Sequence, residues 1–338
     1  MTTIVLFGGP SNERHVSVAS AQNIVRTLGS ALAWFWTPAG AVHDVAIDDL
    51  LAHERPFEVD FIPSRPAAWP TLEQALDTMP VDDPLVLLAL HGGPGEDGTV
   101  QHMLEERRIS FTGSDSTASA IAFDKGRAKE AVAGKVRTAE SHVAQTPGEL
   151  AEVAREMLAR HEKIVLKPLA GGSSRGLFFV ERDGDLPRDV EPVPYIVEQF
   201  LRGRELTVGV ADMGSGPFAL PVIEILVDPA RAFDYAGKYL GAGTREICPA
   251  RIPDAMRDEA QAVALAAHLA IGCRGYSRTD MIAVADDEVY FLELNTLPGL
   301  TKASLVPQEL REAGIEFRAF LETQIELARG AAFASRAR

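Results

Sequence analysis

The chain opens with Thr3 to Phe7, a short β-branched apolar run that stops at Gly8-Gly9-Pro10, and apolar positions return at helical spacing from Val16 to Leu28. This pattern predicts a strand, a glycine turn and a helix. Pro84 to Leu90 is apolar almost throughout and ends in His91-Gly92-Gly93-Pro94-Gly95, as expected of a strand buried on both faces of a parallel sheet. Both glycine turns then fall at strand C-termini, where open α/β sheets hold their ligands. Past Gly113 the texture changes. Ser116 to Lys129 and Glu149 to Arg160 carry helical spacing, and strands are predicted over Ile164 to Pro168, Tyr195 to Phe200 and Glu205 to Val210. Soft boundaries near residues 113 and 200 divide the chain into three units. Phe233 to Pro249, with Gly237, Gly241 and Gly243, has no clear period. A connection of that length predicts a functional segment.

The last unit contains the most informative pattern. Arg278 to Val284 and Val289 to Leu294 are predicted strands flanking Asp286-Asp287, and a two-residue hairpin centred there sets Asp280 opposite Glu293. Asn295, two residues on, shares the face of Glu293. Two carboxylates and an amide oxygen make a hard, all-oxygen set suited to Mg²⁺ bound together with nucleotide phosphates. The alternative is a solvated hairpin face. Against it stand Leu292 and Leu294, expected on the opposite side, and the uncharged Thr296-Leu297-Pro298-Gly299 that follows, because carboxylates entering a packed segment need a compensating cation. Lys167 closes a buried strand just before Gly172-Ser173-Ser174. It reads either as a lysine reaching out beside a surface turn or as the charge partner of backbone N–H groups that cradle a phosphate. The order is not that of a Walker A loop, since the lysine precedes the glycines. His91 brings a donor to a turn that also carries Glu96 and Asp97, and Glu13-Arg14 follows the first glycine turn.

Composition narrows the partners. The 338 residues suggest two or three domains at roughly 150 each, and 46% hydrophobic with 24% charged residues is ordinary for globular domains. Thirty-three Lys+Arg against 48 Asp+Glu leave a formal charge of -15, a field that repels polyphosphate backbones and anionic membranes. Neither nucleic acid nor a membrane is an expected partner. Cys248 and Cys273 are the only cysteines, and with no CxxC spacing they read as reduced, non-catalytic residues of a cytoplasmic protein.

Eight ordered stretches carry a resemblance: GGPSNERHVSVAS (8–20), LHGGPGEDGTVQ (90–101), FTGSDSTASAIAFDK (111–125), VLKPLAGGSSRG (165–176), VEQFLRGRELTV (197–208), KYLGAGTREICPA (238–250), GCRGYSRTD (272–280) and LELNTLPGLTKASLVP (292–307). In this order they resemble the D-alanine–D-alanine ligase family of the ATP-grasp superfamily, from about Ile4 to Phe317. The resemblance implies an α/β fold, α+β in its ATP-grasp part, with a Rossmann-like substrate domain over 1–113, a central subdomain over 114–200 and a C-terminal subdomain over 201–338. It implies ATP between two antiparallel sheets and Mg²⁺, two ions that Mn²⁺ can replace, on Asp280, Glu293 and Asn295, the residues the hairpin register also selects.

Further roles are implied position by position. Lys125, Lys167 and Ser174 would meet the ATP phosphates, with Lys238 among the nucleotide contacts. Glu198 and Leu201 would meet the adenine and Glu205 the ribose. Glu13 would hold the first substrate's ammonium, Arg278 and the Gly299 N–H a developing oxyanion, and His91, Ser304 and Leu305 the substrates. Ser173 and Tyr239 would link to Glu13 and close the 233–249 loop over the site. The implied reaction joins two D-alanines through an acyl phosphate for peptidoglycan synthesis, in a homodimer. Other readings are a ligase joining D-alanine to D-serine or D-lactate, or amino acids of a secondary metabolite, and a nucleotide-binding protein without catalysis. Departures bear on the second substrate: Ala303 preceded by Lys302 where the family often has histidine, Gly171 where an acidic residue is common, and Arg175 where a small apolar one is. Lys238-Tyr239 matches the dipeptide-forming pattern.

Overall fold

The computed structural model describes residues 2–172, 176–227 and 244–336. The first sheet is built from β1 (Thr3–Gly8), β2 (Leu32–Trp36), β3 (Val42–Val45), β4 (Leu85–Leu88) and β5 (Ser110–Phe111), in the order β3-β2-β1-β4-β5. All neighbours are parallel except the edge strand β3. Ile4 to Phe7 and Leu85 to Leu90 are buried throughout, which explains why they read as continuous apolar runs rather than alternating ones. The helix Arg14–Leu28 follows β1 and ends at Gly29 in the left-handed conformation, the usual way to satisfy the last carbonyls of a helix. The Ser17 hydroxyl joins the first glycine turn to the second, accepting from Gly8 N at 2.7 Å and donating to Ala89 O at 2.6 Å.

Where one helix was expected over Ser116 to Lys129 there are two, Ser116–Phe123 and Lys125–Val132. Asp124 causes the break. Its backbone is extended and its carboxylate accepts the Arg127 N–H at 3.0 Å, an N-cap bond that competes with helix continuation. The interruption lets Lys125 N donate to Leu169 O at 3.0 Å and starts the second helix beside the loop after β8. The four-stranded antiparallel sheet of this region contains β7 (Ser141–Ala144), β8 (Lys163–Pro168), β9 (Phe178–Glu181) and β10 (Tyr195–Gln199), ordered β7-β10-β8-β9. The helix Pro147–Arg160 covers it with Leu150, Ala154, Met157 and Leu158.

The third sheet runs β14-β13-β11-β15-β16-β6, with β12 also on β11. It combines β6 (Arg137–Thr138), β11 (Arg204–Asp212), β12 (Pro217–Ala219), β13 (Ile223–Val227), β14 (Thr244–Ile247), β15 (Tyr276–Ala285) and β16 (Glu288–Asn295). Alternation along β11 sends Leu206, Val208 and Val210 into a core with the helix Asp254–Ile271, leaving Glu205, Thr207 and Gly209 on the other face. The β15–β16 hairpin departs from the uniform ladder expected. Ala285 faces Glu288, but the register slips by one residue so that Ala283, Ile282 and Met281 face Val289, Tyr290 and Phe291, and then slips back so that Asp280 faces Glu293. Val284 is the extra residue of the first bulge and Leu292 that of the second. The two cancel, and the pairing of Asp280 with Glu293 is the one that the simple hairpin gives.

The helix Leu305–Glu312 closes the open end of this face. Glu309 is wholly buried, and its Oε1 accepts Gly209 N at 2.7 Å. A Cβ at residue 209 would stand 2.5 Å from Glu309 Oε2, so glycine there lets the helix approach. Burial pushes the Glu309 carboxyl well above its ordinary value of 4.5, outweighing the Gly209 N–H and Arg278, which act the other way. The folded chain therefore holds a proton that the unfolded chain releases near pH 4.5, and stability falls as pH rises from there towards the raised value. Glu309→Gln keeps the acceptor and removes the titration. Its unfolding free energy relative to the parent is expected to improve between pH 5 and pH 8 by about 1 kcal/mol or more, since each pH unit of differential protonation is worth about 1.4 kcal/mol. Chemical denaturation at the two pH values checks this, and a pH-independent offset would contradict it.

Candidate active site

One cavity gathers residues from the loops and helices beside the first two sheets and from the strands of the third. Glu13 enters it from the first residues after the β1 glycine turn, at the N-terminus of the helix Arg14–Leu28, where the helix dipole favours a carboxylate. The second glycine turn is shaped around it. Gly92 has φ +68, and a Cβ there would lie 2.5 Å from both Glu13 Oε2 and Ser11 Oγ. The loop after β8 arrives from the opposite side, with Gly172 placed so that its Cβ would be 3.5 Å from Glu13 Oε2. Ser173, Ser174, Arg175, Lys238 and Tyr239, all singled out by sequence, lie outside the described residues.

His91 lines the cavity but its ring nitrogens serve the protein. Nδ1 lies 2.8 Å from Leu297 O, which can only accept, so Nδ1 carries the proton; Nε2, 3.1 Å away, then accepts from the Ser20 hydroxyl. Ser20 Oγ in turn accepts Leu300 N at 3.1 Å, and Asn23 Nδ2 donates to Leu300 O at 2.8 Å. The loop that contains Gly299 is thus held on both sides by the first unit. Glu96 stands beside the ring, Oε1 3.7 Å from Nδ1, and burial pushes its carboxyl up despite His91.

The opposite wall is the inner face of the third sheet. Arg278 pairs with Asp280 in a bidentate contact, Nε to Oδ1 at 2.9 Å and Nη2 to Oδ2 at 2.8 Å, and Thr207 Oγ1 donates to Asp280 Oδ1 at 2.6 Å. Lys125 Nζ lies 3.6 Å from Glu293 Oε2 and donates to Gly171 O at 2.8 Å. Asn295 Oδ1 accepts Leu297 N at 2.8 Å. Asp280, Glu293 and Asn295 all line the cavity, and their donor set fits Mg²⁺: hard oxygens only, with two carboxylates directly opposed across the hairpin. Among the described residues no group of three His, Cys, Asp or Glu offers a rival metal site. Gly299, Ser304 and Leu305 complete the wall. Ser304 is fixed by Thr301, whose Oγ1 lies 2.7 Å from Ser304 Oγ and accepts Ser304 N at 3.0 Å. Thr301 was not foreseen from sequence.

Lys167, Glu198 and Leu201 are not in the cavity lining, whereas Glu205 is. Glu198 on β10 is buried between two ammonium groups, Lys167 Nζ and Lys129 Nζ, each at 2.5 Å. Burial alone would raise its carboxyl; the two lysines outweigh burial and hold it down at about 2. For Lys167, burial works against the charge, and Glu198 and Glu293 more than offset it. For Lys129 burial prevails and its ammonium is lowered in spite of Glu198. Lys129 also escaped the sequence reading. Its signal was a spacing of four from Lys125, which puts both on one helix face. Burial pushes both Cys248 and Cys273 up to about 12, so neither is a thiolate at neutral pH.

Residues 2–114 match the family model described as D-ala D-ala ligase N-terminus, and residues 142–326 that described as D-ala D-ala ligase C-terminus. The chain is similar to a D-alanine–D-alanine ligase of Desulfotalea psychrophila, 35% identical over 333 residues that cover 96% of this chain and 93% of the relative. Another, from Syntrophobacter fumaroxidans, is 35% identical over 340 residues, 97% of each chain. Among solved structures, the VanG D-Ala:D-Ser ligase of Enterococcus faecalis superposes with a TM-score of 0.80 at 26% identity, over 97% of this chain and 99% of that one. A D-alanine–D-alanine ligase of Bacillus anthracis gives 0.73 at 26% identity, over 99% of each.

The buried lysine pair yields a test. Lys129→Met should lower unfolding free energy, by less than the about 3–5 kcal/mol that follows when a buried charge loses all compensation, because Lys167 still faces Glu198. Urea denaturation of the two proteins measures the difference, and equal midpoints would mean that Glu198 does not depend on Lys129.

Proposed function

The chain belongs to the D-alanine–D-alanine ligase family, an ATP-grasp family, and on that premise we propose that it joins two D-alanines into D-alanyl-D-alanine, with cleavage of ATP to ADP and phosphate. The observation that carries this reading is the single cavity lined by Glu13 and His91 on one side and by Arg278, Asp280, Glu293 and Ser304 on the other. The reading extends to a cytoplasmic homodimer that supplies peptidoglycan precursors, divided into domains near residues 113 and 200.

A carboxylate cannot be attacked by an amine, because its leaving group would be oxide. In the reaction proposed, a carboxylate oxygen of the first D-alanine attacks the γ-phosphorus of ATP, releasing ADP and leaving an acyl phosphate. The amine of the second D-alanine then adds to the acyl carbon, phosphate leaves and the amide forms. Glu13 pairs with the ammonium of the first substrate and fixes which carboxylate oxygen points inward. Lys125 and Lys167 supply positive charge near the transferred phosphoryl group. Asp280, Glu293 and Asn295 would hold Mg²⁺, which adds charge neutralisation at the phosphates. The Arg278 guanidinium and Gly299 N–H face the oxygen that becomes negative in the tetrahedral intermediate. The hydrogen bonds from His91, Ser20 and Asn23 hold the Gly299 loop for that role. Ser304 and Leu305, at the N-terminus of the helix Leu305–Glu312, receive the carboxylate of the second substrate.

Phosphate release with D-alanine, L-alanine or no amino acid, together with chromatographic detection of product, tests the reading. It expects turnover only with D-alanine and one dipeptide per phosphate; ATP hydrolysis indifferent to D-alanine, or a product that forms only with D-serine or D-lactate, would contradict it. Glu13→Gln should weaken use of the first D-alanine by about 10- to 100-fold, the worth of a charge-assisted contact, with KM for ATP nearly unchanged. Equal losses for both substrates in steady-state kinetics would assign Glu13 a structural role instead.

A further inference from the structure

Glu246 lies on β14 at the end of the cavity where Ala303, Ser304 and Leu305 lie, and it lines the cavity with them. The register of the third sheet fixes its position. Glu205 pairs with Ile225 and Ile225 with Glu246, so the three occupy one row on the cavity face. With strands about 4.8 Å apart, Glu246 is about 10 Å along that row from Glu205, and the apolar Ile225 stands between them. A single side chain ties Glu246 to the neighbouring helix: Gln308 Nε2 donates to Glu246 Oε2 at 2.5 Å and to Ala303 O at 2.8 Å. The residue that holds this carboxylate therefore also holds the backbone immediately before Ser304.

The other acids of the wall have charged neighbours: Asp280 has Arg278, Glu293 has Lys125, and Glu205 acts on Lys167. Glu13 and Glu96 belong to the far side. Glu246 is tied to an uncharged amide, and burial pushes its carboxyl up while Gln308 and Arg278 pull it down. A half-buried carboxylate in a ligand cavity is best compensated by a cation that comes with the ligand. An amino acid whose carboxylate rests on Ser304 and Leu305 carries its ammonium one carbon further on, and the methyl of alanine has Ile225 to pack against.

We propose that Glu246, positioned by Gln308, receives the α-ammonium of the second amino acid, accepts one of its protons as the freed amine attacks the acyl carbon, and so selects an amine over a hydroxyl acceptor. The inference rests on the ligase reading above. It makes Glu246 a specificity-determining residue that touches only the second substrate.

Steady-state kinetics of the full chain test it, with D-alanine at both sites and D-lactate as a competing acceptor that has no ammonium. Glu246→Gln preserves shape and should raise KM for the second D-alanine by about 10-fold or more, as expected for loss of a charge-assisted contact. KM for ATP and for the first D-alanine should stay within about twofold, and the ratio of D-alanyl-D-lactate to D-alanyl-D-alanine should rise. Gln308→Ala, which only releases Glu246, should shift the same ratio less and serves as the test should Glu246→Gln fail to fold. An unchanged KM for the second D-alanine, or equal losses towards D-alanine and D-lactate, would overturn the inference and leave the ligase reading intact. A parent enzyme that forms no dipeptide would overturn both.

Discussion

A strand that alternates faces strictly cannot put Val289 and Phe291 into a core and Glu293 and Asn295 into a cavity, because all four residues are separated by even steps. β16 does so by spending Leu292 on a bulge. Up to Phe291 the odd positions pack beneath the helix Asp254–Ile271 with Met281 and Ala283; beyond Leu292 they turn to the opposite face and meet Asp280 and Arg278. Were β16 to alternate regularly through Leu292, with the Val284 bulge kept, the carboxylate of Glu293 would point into an apolar layer, where an isolated charge costs far more than the fold can supply. The bulge at Val284 restores the register at the turn. Bulges beside functional sites commonly re-aim side chains in this way.

Once the two carboxylates face each other, the rest of the wall follows from charge. Arg278 and Thr207 occupy Asp280, and Lys125 comes to Glu293 from a helix that exists as a separate element only because Asp124 caps it. Behind the wall, Lys167 is held by a glutamate that a second lysine helps to keep ionised. The cationic groups are thereby fixed by the protein's own ion pairs, the kind of preorganised charge that the proposed phosphoryl transfer would use without reorganisation. On the facing side, neutral hydrogen bonds do the positioning. His91, Ser20 and Asn23 fasten the Gly299 loop to the helix Arg14–Leu28 and the second glycine turn, so the two halves of the cavity meet at defined atoms.

Much of this was legible in the sequence, and what was not had local causes. Continuous apolar runs announced the parallel sheet because both faces of β1 and β4 are covered. The Asp280 and Glu293 pairing could be read from a plain hairpin only because two bulges cancel, and nothing in the pattern of Val289 to Asn295 revealed either one. The break at Asp124 was hidden because helical spacing continues through it, while one of the contacts that hold the break, from Lys125 N to Leu169 O, comes from the loop after β8. Lys129 and Thr301 act by touching Glu198 and Ser304, and such contacts leave no trace in composition or period. His91 was recognisable as a site residue, yet the engagement of both its nitrogens by protein groups belongs to tertiary structure alone. In sequence Glu246 falls within the Phe233 to Pro249 connection that shows no clear period, and only the register of the strand Thr244–Ile247 sets it beside Ser304.

The role of the hairpin can be measured directly by the Mg²⁺ dependence of ATP turnover in Glu293→Gln, a substitution that keeps the size of the side chain and removes its charge. If the Leu292 bulge serves to bring Glu293 to a metal shared with Asp280 and Asn295, the melting temperature should be close to that of the parent. The Mg²⁺ concentration for half-maximal turnover should rise by about 10-fold or more, the scale on which altered metal surroundings act. A Glu293→Gln protein with the Mg²⁺ dependence of the parent would contradict the assignment and reduce the hairpin face to a solvated surface.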